Sequence, residues 1–301
     1  MKKHRKEYQK VKKMVREGFE KLLEEVKEGK TERLEKYLKF ASNFHRYSPN
    51  NMLLIQLQCP HATRVAGYRK WQKLGYQVKK GEKAIKILAP MTYKKKVEKK
   101  DEDGNVVRDE EGNLVYEEKQ VTYFGVVNVF DISQTIRVKD EEDVTEFFFE
   151  IEGDCAKEYN LLKSLIQEDG IKVEEVERVG ADPKAEGASY GGKIEVKKGS
   201  SVNMTLTLIH EWGHEILHQK NKEKQYTKEQ KECQAEAVSF IVSNYLGIYN
   251  PFSRDYLIGW GNDVKELENN LKEVMEASSY IIEKIEKLRE RKKKKNKKEA
   301  A

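Results

Sequence analysis

Apolar side chains recur at three- and four-residue steps from Tyr8 through Val11, Val15, Phe19 and Leu22 to Val26, in an otherwise charged segment. That period puts them on one stripe of a helix over residues 5–28, which Gly29 ends. Thr31 is placed to cap a second helix, with Leu34, Leu38, Ala41 and Phe44 facing inward. Ser48-Pro49 opens a third, serine as N-cap and proline at the first helical position, running through Gln58 and closed by Pro60. From Ala66 the pattern changes. "GYRKWQKLGYQVKKGEKAIKILAP" reads as a short helix, a turn at Gly75, then strands, with Ala84, Ile85, Ile87 and Leu88 in a β-type run that ends at Pro90. "MTYKKKVEKK" and "LVYEEKQVTYFGVVNVFDISQT" read as later strands. The acidic turns "DEDGN" and "DEEGN" between them predict an exposed hairpin without chemistry of its own.

Residues 140–152 are acidic and mark a boundary. Beyond them Cys155–Glu168 reads as a helix, with Tyr159, Leu162 and Leu165 or Ile166 inward. "IKVEEV" and "GASYGGKIEVKKG" read as strands around glycine turns. Helices are then predicted over Met204–Gln219, over Lys228–Tyr245 with Ala235, Val238, Ile241 and Val242 inward, and over Val264–Arg291.

The chain has 301 residues, enough for about two domains, and a net charge of +6. That charge is split: residues 1–100 carry 28 basic and 10 acidic side chains, residues 101–288 carry 22 and 40, and residues 289–301 carry 8 and 2. A basic first third suits a polyanion, nucleic acid above all, although lysine-rich helices can also be plain solvated surface. No run of 18 apolar residues is present, so no membrane span is expected. The basic start lacks the apolar stretch and cleavage site of a secretory signal. Cys59, Cys155 and Cys233 fit neither a disulfide framework nor a Cys-x-x-Cys site, and a cytoplasmic location is expected.

"TLIHEWGHEILH" gathers three of the six histidines in twelve residues. On a helix His210 and His214 share a face one turn apart, a spacing that lets two imidazoles grip one Zn²⁺. Glu211 beside them can reach a water without ligating, the H-E-x-x-H arrangement, and Gly213 permits a close neighbour. A third ligand is needed, and "KECQAEAVSF" offers Glu232 and Glu236 one turn apart. Glu232 is taken as the ligand and Glu236 as the acceptor of a ligating histidine's free ring N–H; a small rotation of the helix reverses the two. His218, a further turn along, lines the cleft, stabilises developing negative charge, or supports the ligands. With zinc present, Glu211 takes a proton from water and delivers it to a leaving amine.

In the first third, Tyr47, Tyr68, Trp71 and Tyr76 are interleaved with Arg46, Arg64, Arg69, Lys70, Lys73, Lys79, Lys80 and Lys83. Single-stranded nucleic acid asks for that mixture of π-faces and cations. Asn51 can hydrogen-bond a base or phosphate, or cap the third helix. Tyr68 and Trp71 can equally be core residues.

"HEWGHEILHQ", "ECQAEAVSFIVSNYLGI" and "YLIGWGND" before a long helix resemble the zincin domain of ArdC-like antirestriction proteins, a domain type related to the ImmA/IrrE metallopeptidases. "YSPNNMLLIQLQCPHATRVAGYRKWQKLGYQVKKGEKAIKILAP" with "VFDISQT" resembles the single-stranded-DNA-binding domain of the same family. The hairpin at 101–120 and the lysine tail lie outside the resemblance. It implies a protein of plasmids, phages or conjugative elements that binds single-stranded DNA on entry and helps the element evade restriction. The fold class expected is α+β: a helical and antiparallel-sheet DNA-binding domain over residues 1–150, a zincin-like metallopeptidase domain over 151–290, and a disordered tail over 291–301. The expected function is a Zn²⁺ metallopeptidase-like antirestriction protein acting on an unidentified protein substrate. The alternatives are a DNA-coating protein with a structural zinc that cleaves nothing, and a peptidase that cleaves a repressor.

Overall fold

The chain begins with three helices, α1 (Lys2–Lys27), α2 (Glu32–Asn43) and α3 (Pro49–Gln58), in a computed structural model that describes residues 2–101, 103–138, 154–219, 225–251 and 259–299. The stripe on α1 is inward: Val11, Phe19, Leu22 and Val26 are buried, as are Leu34, Leu38, Ala41 and Phe44 of the second segment. Ser48 caps α3 by accepting from Asn51 N, whereas Thr31 makes no side-chain cap bond to α2.

Next come β1 (Val65–Ala66), α4 (Tyr68–Lys73), β2 (Tyr76–Val78), β3 (Ile85–Glu98), β4 (Tyr116–Asp131) and β5 (Thr135–Arg137). β4 lies between β1 and β3, and β2 pairs with β5, all antiparallel. The strand expected to end at Pro90 instead continues to Glu98, with Pro90 opposite Phe124. The reason lies in α3. Asn51 and Gln58, two turns apart, turn their amides to the free edge of β3: each donates to and accepts from one backbone residue, Leu88 and Lys86 respectively, at 2.7–3.0 Å. Residues 86, 88 and 90 therefore present their backbone groups to the same open edge, where proline's missing N–H costs no ladder bond. The helix also covers an edge that would otherwise invite pairing. In the acidic turns, the Asp101 and Asp109 carboxylates each accept backbone N–H groups two and four residues on, which is why such residues form turns.

The second half contains α5 (Ala156–Glu168), β6 (Lys172–Val176), β7 (Gly187–Ser189), β8 (Lys193–Lys197), α6 (Ser201–His214), a π-helical turn (Glu215–Gln219), α7 (Lys228–Leu246) and α8 (Val264–Glu299). β8 is central, parallel to β6 and antiparallel to the edge strand β7. The helix α8 continues to Glu299, so the lysine-rich run, where a disordered tail is expected from residue 291, has helical backbone to that point. The boundary expected at 140–152 lies outside the described residues. Buried apolar residues of both halves form one continuous cluster, and Arg46 pairs with Glu286 across it at 2.6 Å. No helix among the described residues is long and apolar enough to cross a membrane. The three cysteines are buried and outside any disulfide.

Candidate metal centre

Ser200 starts α6, accepting from Asn203 N, and Leu208, Ile209 and Trp212 bury one side of it completely. The other side meets α7, which the Thr227–Gln230 capping box starts. Gly213 lies at the crossing. A Cβ there would touch Val238 Cβ at 3.4 Å and Ala235 Cα at 3.5 Å, so α6 and α7 cross closely at this point, which brings Glu232 near the histidines.

The structure brings His210, His214 and Glu232 together. His210 Nε2 and His214 Nε2 are 3.0 Å apart, and Glu232 Oε2 is 3.5 Å from the first and 3.6 Å from the second. A tetrahedral ion with bonds of about 2.0–2.1 Å spaces its ligand atoms roughly 3.3–3.4 Å apart. The triangle fits such an ion. Two imidazole lone pairs aimed at one another at that distance also repel unless a proton or a cation lies between them. The residues can therefore hold a divalent metal, with Glu232 the half-exposed member at the mouth.

Glu236 Oε1 is 3.3 Å from His210 Nδ1, off the ring N–H direction, so the contact is a close charge rather than an aligned hydrogen bond. Glu236 thus lies on the far side of the His210 ring and Glu232 on the near side. His218 does not line an open cleft. It is buried, with Nδ1 2.9 Å from His214 Nδ1 and Nε2 2.9 Å from Gln234 Oε1. The π-helical turn makes this possible by keeping the His214 and His218 rings side by side, centroids 5.0 Å apart; such turns recur at functional sites.

Glu211 is buried beneath the edge strand β7. A Cβ at Gly187 would meet Thr207 Cγ2 at 2.5 Å and Glu211 Oε1 at 2.9 Å, so only glycine lets β7 lie against that carboxyl. Glu215 fixes the turn that follows, its carboxylate accepting from Gly191 N and Gly192 N at 2.8 Å each. Gly187, Glu215 and Gln234 were not expected from the sequence. Gln234 had a signal: it stands one turn before Val238 on the apolar stripe of α7 and is completely buried.

The electrostatics follow from this packing. Burial alone would lower the His210 pKa, but the carboxylates of Glu232 and Glu236 outweigh it and push it up to about 10. The two histidines hold Glu232 well below the usual carboxylate range. Burial raises Glu211 above the ordinary value, toward that of a working base. Burial lowers His218 to about 4, against the Gln234 hydrogen bond, so its ring is neutral.

The aromatic–basic residues of the first third do not form one surface. Trp71 is a core residue, 2% exposed, with Nε1 donating to Phe130 O at 2.8 Å; its face is not free for stacking. The Asn51 amide is consumed by Leu88. Tyr47 is half-buried, its hydroxyl donating to Val65 O and its ring edge-on to Phe44. Arg64 is half-buried beside β1. Tyr68, Arg69, Lys79, Lys80 and Lys83 are exposed, Lys79 with its ammonium on Ser133 O.

Residues 5–130 match the family described as the N-terminal domain of anti-restriction factor ArdC. A Bacillus anthracis protein named "Uncharacterized protein pXO2-81" is 28% identical over 308 residues, covering 86% of this chain and 50% of that protein. The chain thus spans about half the length of the curated relative it matches. Two crystal structures of the antirestriction protein ArdC from plasmid R388 share the fold. The metal-free form is 16% identical and the Mn(II)-bound form 15%, each with a TM-score of 0.53 over 90% of this chain and 97% of that one.

Proposed function

We propose that the chain is a single-stranded-DNA-binding antirestriction protein of a mobile element whose second half carries a zinc peptidase centre. The match over residues 5–130 and the shared fold support the first part. The observation that carries the second is the convergence of two Nε2 atoms and Glu232 on one point, with the Glu211 carboxyl beside it but outside the ligand set. His210, His214 and Glu232 would hold the zinc ion, which when bound would polarise a carbonyl and make a water more acidic. Glu211 would accept the water's proton at its carboxylate as the water oxygen bonds to the carbonyl carbon, and would deliver that proton to the amine nitrogen as the C–N bond breaks. The raised pKa of Glu211 suits both halves of this transfer. Purified full-length chain should hold one metal per molecule and cleave members of a degenerate peptide mixture, with cleavage lost to a chelator and restored by Zn²⁺. Absence of stoichiometric metal, or cleavage indifferent to chelator, overturns the peptidase reading. The solved relatives are named for antirestriction and not for proteolysis, which supports a second reading in which the metal-loaded chain coats DNA and cleaves nothing; metal uptake without any cleavage selects it.

For DNA, the exposed Tyr68, Arg69, Lys80 and Lys83 supply a π-face and cations. Binding of a fluorescent oligo(dT) should weaken linearly in log–log plots against salt, and Lys80→Glu with Lys83→Glu should lower the slope by about 0.7 for each phosphate no longer neutralised. An affinity indifferent to salt sinks the DNA part.

A further inference from the structure

We infer that Gln234 is a positioning residue for the metal centre: acting through His218, it holds His214 in the one tautomer whose Nε2 lone pair faces His210 and Glu232. The inference rests on the metal-centre reading above. The series of hydrogen bonds that sets the tautomer begins at two backbone carbonyls.

Asn270 Nδ2 lies 3.0 Å from Trp260 O and 3.3 Å from Gly259 O. Carbonyl oxygens only accept, so this end of the Asn270 amide is the NH₂ and its Oδ1 points the other way. Oδ1 is 2.9 Å from Gln234 Nε2, which is also 3.0 Å from Glu273 Oε2. Two acceptors around one end of Gln234 make that end the donor. Gln234 Oε1 then faces His218 Nε2 at 2.9 Å and can only accept, so His218 carries its proton on Nε2. The buried ring lies between an amide oxygen and a second imidazole; with its proton on Nε2 its Nδ1 is the acceptor, and the atom facing it at 2.9 Å is His214 Nδ1. His214 must donate there, and its Nε2 is left as the lone pair aimed at the gap shared with His210 and Glu232.

Every member of this series has its donor and acceptor sense dictated by the one before, and no rotation or flip of a single side chain satisfies the rest. Gln234, Ser239 and Asn270 are among the few buried polar residues here, and a polar group with no exposure is costly unless its bonds are made. Tyr226 adds a further bond, its hydroxyl donating to the same Glu273 oxygen. The result is that the two ligand histidines are supported differently. His210 has a carboxylate, Glu236, behind it. His214 has the His218 ring and the Gln234 amide behind it, with the Glu273 carboxylate only beyond them. Groups of this kind behind metal-bound imidazoles typically change affinity about 10–100-fold when removed.

The test uses uniformly ¹⁵N-labelled full-length chain and long-range ¹H–¹⁵N spectra of its histidines, metal-free and with one equivalent of Zn²⁺. His218 should show a protonated Nε2 and a bare Nδ1 in both states, and His214 the opposite assignment. The reverse assignment at His218 overturns the inference without any variant being made. In Gln234→Leu, His218 should lose its single tautomer, and Zn²⁺ affinity measured by chelator competition should fall about 10–100-fold, with the thermal midpoint of the metal-free chain reading packing separately. An unchanged affinity in folded Gln234→Leu overturns the role. If the wild-type chain shows the expected tautomers but takes up no Zn²⁺, the metal-centre reading fails and the role with it, while the donor–acceptor order stands.

Discussion

Replacing Glu211 with glutamine should lower peptide hydrolysis by the metal-loaded chain about 10³-fold while leaving one metal bound and DNA affinity unchanged. The size follows from what general acid–base catalysis contributes, typically about 10²–10⁴. The selectivity follows from geometry. Glu211 is not among the atoms that converge on the metal point, which are His210 Nε2, His214 Nε2 and Glu232 Oε2, so metal affinity does not depend on its charge to first order. Glutamine keeps the shape wedged beneath Gly187, so the β7 strand is not displaced. It cannot take up a proton at neutral pH. A variant that retains turnover assigns the base elsewhere. A variant and wild type that both bind metal and both fail to cleave identify the DNA-coating reading. Glu232→Gln is the informative contrast, because it should weaken metal uptake itself.

Much of this centre was legible because helical spacing is a short-range property. His210 and His214 meet because they are four residues apart on one helix, and Glu232 and Glu236 repeat that relation on the next. Gly213 marks where the two helices touch. What sequence spacing could not supply is the direction in which a polar or aromatic side chain turns once its element is packed. Trp71 sits among lysines and arginines in the sequence, yet α4 turns it onto β4, where Phe130 O satisfies its indole. Asn51 reads as a base or phosphate contact or a cap, and Gln58 only as the end of its helix, but each reaches a strand 37 or 28 residues away, which no local pattern encodes. Pro90 reads as a strand end only while the edge status of β3 is unknown. Gln234 and Asn270 were readable in principle: each interrupts an apolar stripe, Gln234 before Ala237, Val238 and Ile241, and Asn270 between Leu267, Leu271 and Val274. A polar residue on a buried stripe must find partners, and here the partners lead to the metal site.

The second large effect is on metal affinity as a function of pH. In the metal-free chain His210 is held up to about 10 because Glu232 and Glu236 stabilise its charged form more than burial opposes it. An ion entering the site needs the Nε2 lone pair and must displace that proton. Glu232 is already ionised, held well below the usual range, and His218 stays neutral above about 4, so neither exchanges a proton near neutrality. One proton is therefore released per ion, and Zn²⁺ affinity should rise about tenfold per pH unit, about 10³-fold from pH 6 to pH 9. The same shift fixes the sign for stability. A histidine whose folded pKa is raised stabilises the metal-free chain fully below its unfolded value, about 6.5, and that contribution is lost as pH rises toward about 10. Metal-free chain should thus become easier to melt with rising pH over the range in which Zn²⁺ protects it more. Chelator competition at four pH values, corrected for chelator protonation, with thermal melts at each, reads both. A pH-independent affinity places the displaced proton on no group of this site and removes the histidine pair from the ligand set.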